Sequence, residues 1–237
     1  MRLGVNVDHI ATVRQARLGT DPDPVSAAQI CQKAGAHAVV MHLREDRRHI
    51  QDADVFRARA ILKIKLNLEM SLAPSIVKLA ARLEPGQVTL VPEKRREMTT
   101  ESGLNLSSER TRLARSMEIF RKKKITVSLF IDPNPRQIAL AKKLGVDAVE
   151  FHTGTYANQT DSRRAEEELA RLRSAVHCAR EAGLVAHAGH GLDYQNVAAV
   201  AKIKGIEELN IGFSIVARAL WVGFEAAVKE MLELIKT

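Results

Sequence analysis

Eight short apolar segments recur at near-equal spacing along this chain, and most end in a carboxylate, an imidazole or an amide. The segment ends fall near Asp8, His42, Glu69, Val91, Asp132, His152, Gly189 and Ile211. They lie roughly 29 residues apart, the size of one βα unit. No Pro/Gly/Ser-rich linker divides the 237 residues. The pattern predicts a single α/β domain, residues 1–237, folded as a (β/α)8 TIM barrel. An open doubly wound sheet seldom needs eight near-equal units.

Helix signals alternate with these strands. Asp23-Pro24 supplies an N-cap and a proline at the first helical position, and Gly35 supplies the stop. Pro74 opens a second helix that ends near Pro85-Gly86, and Asn134-Pro135 opens one that stops at Gly145. A long charged helix is expected from about Asp161 to Gly183, a shorter one from Asp193 to Gly205, and a last one from about Gly212 to Ile235. The stretch AGAHAVVMH (Ala34 to His42) is echoed by LGVDAVEFH (Leu144 to His152) and more weakly by AGLVAHAGH (Ala182 to His190). Each copy is a helix stop, a buried strand and a terminal histidine.

In a barrel of this kind, catalytic groups belong at the C-terminal strand ends. Burying carboxylates and imidazoles on apolar strands is costly unless they are paired, so these positions read as one converging site. Several are i, i+2 pairs, which a strand points to one face. Glu69, inside LNLEM behind Asn67, is the sharpest carboxylate. Its apolar flanks predict a raised pKa suited to proton transfer. A buried ion pair with an arginine is the structural alternative. Glu150 is similar, with His152 as an expected partner. Six of the eight histidines (His9, His42, His49, His152, His187 and His190) lie late in a strand or just after one. Clustering on one rim favours a working role for His42 and His190. His37 and His177 read as structural.

Glycines and basic loops supply anion signals. Gly189-His190-Gly191 follows strand seven, and Gly212 follows strand eight and opens a helix. Backbone N–H groups and a helix N-terminus in these two loops suit a phosphate. Arg17 follows strand one. LREDRRHIQD (Leu43 to Asp52) follows strand two, where Arg44 and His49 could hold a second phosphate, with Thr99 or Thr100 adding a hydroxyl. The loop from Pro92 to Gly103 is long enough to act as a closing lid. Arg121 to Lys124 sit on the opposite rim, where a solvated helix end accounts for them.

Composition narrows the partners. The 36 basic and 28 acidic residues give a net charge of +8, which favours anionic ligands. Only 4% of residues are aromatic, too few for a base-stacking surface, so no nucleic acid is expected. No apolar run approaches a membrane span, and the first strand starts at Leu3, so a cytoplasmic protein with no membrane contact is expected. Cys31 and Cys178, both in predicted helices, read as buried free thiols. No P-loop, dinucleotide fingerprint or zinc cysteine cluster is present. No lysine sits near the C-terminal end of a strand, apart from Lys94 beyond strand four, which disfavours a protein-bound Schiff base.

The stretches GVNVDHIATVRQAR, HLREDRRHIQD, LNLEM, QVTLVPEKRREMTTESGL, VSLFIDP, HTGTYA, HAGHGLDYQNV and ELNIGFSIVARA resemble the pyridoxine 5′-phosphate synthase family, in order and over nearly the whole chain. The resemblance implies ring closure between 1-deoxy-D-xylulose 5-phosphate and 3-amino-2-oxopropyl phosphate, with release of phosphate and water and with no metal or organic cofactor. It implies proton-accepting roles for Glu69 and His42, a proton-donating role for His190, and transition-state stabilisation by Glu150. Asn6, Arg17, Gly191, Gly212 and Phe213 match the amino-ketone phosphate side. Asp8, His9, Arg44, His49 and Thr99 match the deoxyxylulose phosphate side. A homo-octamer built from dimers is implied, with Arg17 serving either its own site or a neighbour's. The family usually has histidine where Phe213 stands here. A contact through the backbone N–H survives that change, and this is the reading adopted.

Two rival readings remain. A metal-dependent TIM-barrel hydrolase or epimerase acting on a sugar phosphate could use Asp8, His9, His42, Glu69, His152 and His190 as ligands. NVDH lacks the HxH spacing common in amidohydrolases. An RNA-binding protein would fit the charge but not the scarce aromatics.

Overall fold

A computed structural model describes residues 1–93 and 102–236. Eight parallel strands close into a barrel in sequence order: β1 (Arg2–Asn6), β2 (Ala38–His42), β3 (Lys65–Met70), β4 (Gln87–Leu90), β5 (Thr126–Ile131), β6 (Ala148–His152), β7 (Val185–Gly189) and β8 (Ile206–Ile211). β8 pairs back on β1, with Gly4 opposite Asn210. The described helices are α1 (Asp8–Gln15), α2 (Pro24–Ala34), α3 (Asp52–Ile61), α4 (Pro74–Leu83), α5 (Arg110–Lys122), α6 (Pro135–Leu144), α7 (Gly154–Ala157), α8 (Ser162–Glu181), α9 (Val197–Ala201), α10 (Phe213–Val222) and α11 (Phe224–Leu234). This is the expected (β/α)8 barrel.

Local chemistry starts and stops the clearest helices. The Asp23 carboxylate accepts the Val25 and Ser26 N–H groups at the head of α2, Asn134 accepts Arg136 N–H at α6, and Asp161 accepts Arg164 N–H at α8. Three expectations change. A helix, α1, fills the first βα connection, and its N-cap Val7 makes no side-chain cap bond, so no capping signal announced it. The expected helix from Asp193 shrinks to α9. The Asp193 carboxylate captures the Gln195 and Asn196 N–H groups, and the Asn196 amide oxygen accepts Asp193 N–H, which makes a turn instead. The last helix breaks in two at Gly223, whose φ is 84°.

The apolar core lies between the strands and the helices. Leu3, Val5, Val39, Met41, Leu68, Met70, Val88 and Leu90 are fully buried on the outward strand faces. Cys31 is buried and its thiol is pushed up to about 12 by desolvation, whereas Cys178 is half-buried.

The lumen departs from the branched apolar filling typical of this architecture. Lys65 on β3 reaches across it to Glu208 on β8, with Nζ 2.7 and 2.9 Å from the two carboxylate oxygens. Lys65 also donates to Gln87, Gln87 donates to Thr89, and Thr89 donates to Asn67. Ser128, Glu150, His187 and Asn210 are buried as well. The polar column runs from the N-terminal rim to the C-terminal mouth. No helix among the described residues is long and apolar enough to cross a membrane.

Candidate active site

A cavity of about 920 Å³ opens at the C-terminal mouth, within the range that encloses small ligands. Asn6, Asp8, His9, His42, Arg44, His49, Glu69, Glu150, His190, Gly191, Gly212 and Phe213 all line it. Arg17 does not. It is exposed in the turn past α1. Thr99 and Thr100 lie outside the described residues, as does most of the loop expected to act as a lid.

The first three strands supply a tight polar corner. Asp8, at the start of α1, accepts the His42 main-chain N–H through Oδ1 at 2.8 Å. Asn6 Nδ2 donates to Asp8 Oδ2 at 2.8 Å and lies 3.5 Å from Glu69 Oε2. His42 and Glu69 sit opposite one another in the β2–β3 ladder. Desolvation raises the Glu69 pKa well above the usual carboxylate value, and the neighbouring Glu150 and Asp8 charges add to it. The expected raised pKa is therefore present, and no arginine among the described residues pairs with Glu69. Asp8, His42 and Glu69 are also the group that could hold a metal ion among the described residues, their ligand atoms all lying within 4.8 Å of one another.

Further round, Glu150 on β6 is fully enclosed. Burial raises its pKa to about 7, partly opposed by the bond from Asn210. His152 does not pair with it. The His152 Nδ1 lies 3.4 Å from Asp132 Oδ1 past the end of β5, and its ring packs on His190 with centroids 5.1 Å apart. Phe130 closes the other side, 5.3 Å from the His152 ring.

His190 and Gly191 both adopt φ of 78°. These positive φ values make a tight turn at the rim of the cavity. A side chain at Gly191 would be strained at this φ and would lie 2.9 Å from Ala157 Cβ. Thr153 Oγ1 braces the turn, 2.7 Å from the Gly189 carbonyl and 2.6 Å from that of His190. Burial depresses the His190 pKa to about 4, helped by His152 and His9. Ser214 Oγ donates to the Leu192 carbonyl and ties the two glycine loops together. Phe213 is the first residue of α10, so its N–H has no intrahelical acceptor. Its exposed ring stands edge-on to His9 at 5.2 Å.

On the opposite side, His49 Nδ1 accepts Ile50 N–H at 2.8 Å, so in the neutral ring the proton is carried on Nε2 as a donor. Desolvation lowers the His49 pKa. A buried bidentate pair fixes this loop: Arg14 holds both Asp54 oxygens at 2.8 Å and donates to the His49 carbonyl. The structure adds Phe130, Asp193, Tyr194 and Trp221 to the lining and brings Glu93 against His42. An acid just past strand four was the only sequence sign of Glu93.

The sequence model of one family, described as "Pyridoxal phosphate biosynthesis protein PdxJ", matches residues 3–237. A pyridoxine 5′-phosphate synthase from Trichlorobacter lovleyi is 50% identical over 235 residues, covering 99% of this chain and 98% of that one. One from Sulfurihydrogenibium sp. is 52% identical over 238 residues, with the same coverage. Among solved structures, a thiamine phosphate pyrophosphorylase from Pyrococcus furiosus superposes with a TM-score of 0.66 at 15% identity, covering 99% of this chain and 95% of that one. A phosphoribosyl anthranilate isomerase from Thermus thermophilus does so with a TM-score of 0.63 at 12% identity, covering 99% and 98%. Those two likenesses concern the fold alone.

Proposed function

This chain belongs to the pyridoxine 5′-phosphate synthase family, that of the pyridoxal phosphate biosynthesis protein PdxJ, and its activity is the synthesis of pyridoxine 5′-phosphate; on that premise we propose how its cavity divides the work. One observation carries the reading. Glu69, His42 and His190, from three separate βα units, line one cavity together with Gly191 and Gly212 and with Arg44 and His49.

The amides of Gly191, Gly212 and Phe213, with Asn6 beside them, take the phosphate of 3-amino-2-oxopropyl phosphate. Arg44 and His49, with Asp8 and His9, take 1-deoxy-D-xylulose 5-phosphate. The amine of the first substrate attacks the ketone of the second and forms an imine as water leaves, so no enzyme lysine is required. Holding both phosphates fixes the reacting carbons near each other for the aldol-like closure that follows.

Proton transfer at separate atoms needs more than one acid/base group. Glu69, its pKa raised well above the usual carboxylate value by burial and by the neighbouring Glu150 and Asp8 charges, is suited to exchange protons with substrate. His42 takes protons on the β2 side. His190 is neutral in the empty site, and the negative charge of bound phosphates raises its pKa, so it becomes a donor once substrates are in place. Glu150, when ionised, stabilises positive charge developing on the imine nitrogen. Phosphate and water are released.

Assembly with further copies of this chain fits the surface beside the cavity. Leu18, past α1, and Leu220 and Trp221, on α10, are large apolar side chains left 83, 78 and 84% exposed. Arg17 adjoins Leu18 outside its own cavity, and in such an assembly it serves the anion site of a neighbouring copy. Incubation with both phosphorylated substrates tests the whole reading. The pyridoxine phosphate chromophore should grow in only when both are present, and its absence would reject the scheme.

A further inference from the structure

Glu93 lies three residues beyond β4, and its side chain is only 3% exposed. It faces two residues of the cavity. Oε2 lies 3.8 Å from His42 Nε2, and Oε1 lies 3.7 Å from Arg44 Nε. Oε1 also accepts the Glu45 main-chain N–H at 2.9 Å. His42 Nε2 and Glu93 Oε2 are both buried, and neither has another hydrogen-bond partner among the described residues. Leaving two such buried orphans unpaired is costly, which favours a hydrogen bond between them.

The geometry points to Glu93 as a positioning residue for His42: its carboxylate holds the ring proton on Nε2 and leaves the Nδ1 lone pair to take the substrate proton. This rests on His42 being a proton acceptor in the reading above. A carboxylate behind an imidazole fixes its tautomer and strengthens it as a base. Other charged groups face His42 too, and oxygens of Asp8 and Glu69 lie within 4.8 Å of a ring nitrogen. Asp8 is engaged by the His42 main-chain N–H, Glu69 is its neighbour in the ladder, Arg44 follows two residues on, and the His49 ring stands 6.1 Å away. Burial pushes the Glu93 pKa up, but His42, the Glu45 N–H and Arg44 outweigh it, and the net value is below the usual one, so the group is anionic at neutral pH.

The test is Glu93→Gln. Its amide oxygen can still accept Glu45 N–H, while its NH2 then meets Nε2 as a donor and drives the ring proton to Nδ1. We expect kcat to fall by roughly tenfold to a hundredfold with KM changed by less than about threefold. The acid limb of kcat/KM should move to lower pH by about one unit, because the imidazolium loses its counter-charge. Glu93→Asp should keep the wild-type limb. An unmoved limb with a raised KM for the deoxyxylulose substrate would make Glu93 a mere counter-ion of Arg44 and overturn the inference. Should Glu93→Gln fail to fold, 15N-histidine spectra of the wild-type protein decide, with the His42 signal identified by its loss in His42→Asn. An Nε2–H tautomer supports the assignment and an Nδ1–H tautomer overturns it. Wild-type protein that makes no product fails the functional reading instead, and the tautomer measurement does not depend on it.

Discussion

Asn210 on β8 donates its Nδ2 to Glu150 Oε2 on β6 at 2.7 Å, reaching past the intervening strand β7 inside the barrel. The reach is possible because β7 presents Gly189 there. A Cβ at that residue would lie 2.5 Å from Glu150 Oε1 and 2.7 Å from the Asn210 carbonyl oxygen.

Gly189→Ala should therefore break the pair or move β7. Overpacking of this kind costs about 1–3 kcal/mol. Turnover should fall by at least about tenfold, since Glu150 and the His190 turn shift together. Urea unfolding and steady-state rates check both. Wild-type rates in a protein of unchanged stability would show that this glycine is not needed for the pair.

Glu150 also makes stability depend on pH. Its folded pKa of about 7 lies above the ordinary glutamate value of 4.5, so folding favours the protonated carboxyl. That contribution is fully present below about pH 4.5 and is lost as pH rises through 7. The full swing is roughly 3 kcal/mol at 1.36 kcal/mol per pH unit. Glu150→Gln, which is always neutral and still accepts from Asn210, should be more stable than wild type at pH 8 and about equal to it at pH 4.5. Denaturant midpoints at the two pH values measure this, and equal midpoint differences at both would contradict it.

Glu69 is the carboxylate whose setting best suits proton exchange. Glu69→Gln should cut turnover by roughly 10²-fold or more, with substrate phosphate affinity nearly unchanged. Single-turnover rates alongside phosphate titration separate the two effects. Near-normal turnover would take Glu69 out of the chemistry.

The Arg14–Asp54 pair holds the loop that carries Arg44 and His49 without lining the cavity itself. Asp54→Asn leaves a buried guanidinium without its counter-charge, which typically costs about 3–5 kcal/mol. The affinity loss should fall on the deoxyxylulose substrate more than on the amino-ketone. Isothermal titration with each substrate alone compares them, and equal losses would refute a loop-specific role.

Local chemistry was readable before any coordinates. The eight strand ends, the caps at Asp23, Asn134 and Asp161 and the stops at Gly35 and Gly145 depend on residues a few positions apart, so spacing alone predicts them. The raised pKa of Glu69 was legible too, because its apolar flanks are its neighbours in sequence. Weaker local signals misled: α1 has no side-chain cap, and Asp193 and Asn196 capture backbone that a helix would have used.

Which histidine meets which acid was decided only by closure of the barrel. His152 follows Glu150 by two residues, yet it turns to Asp132 just past the preceding strand, while Glu150 takes Asn210 from two strands away. His187 shares the HxxH stretch with His190 but is buried off the cavity lining, where desolvation lowers its pKa to about 4. Glu93 carried no more than an acid's usual signal until β4 and β2 placed it against His42. Partners of this kind are set by strand register and stagger around a closed sheet, and those distances exist only once residues far apart in the chain have been brought together.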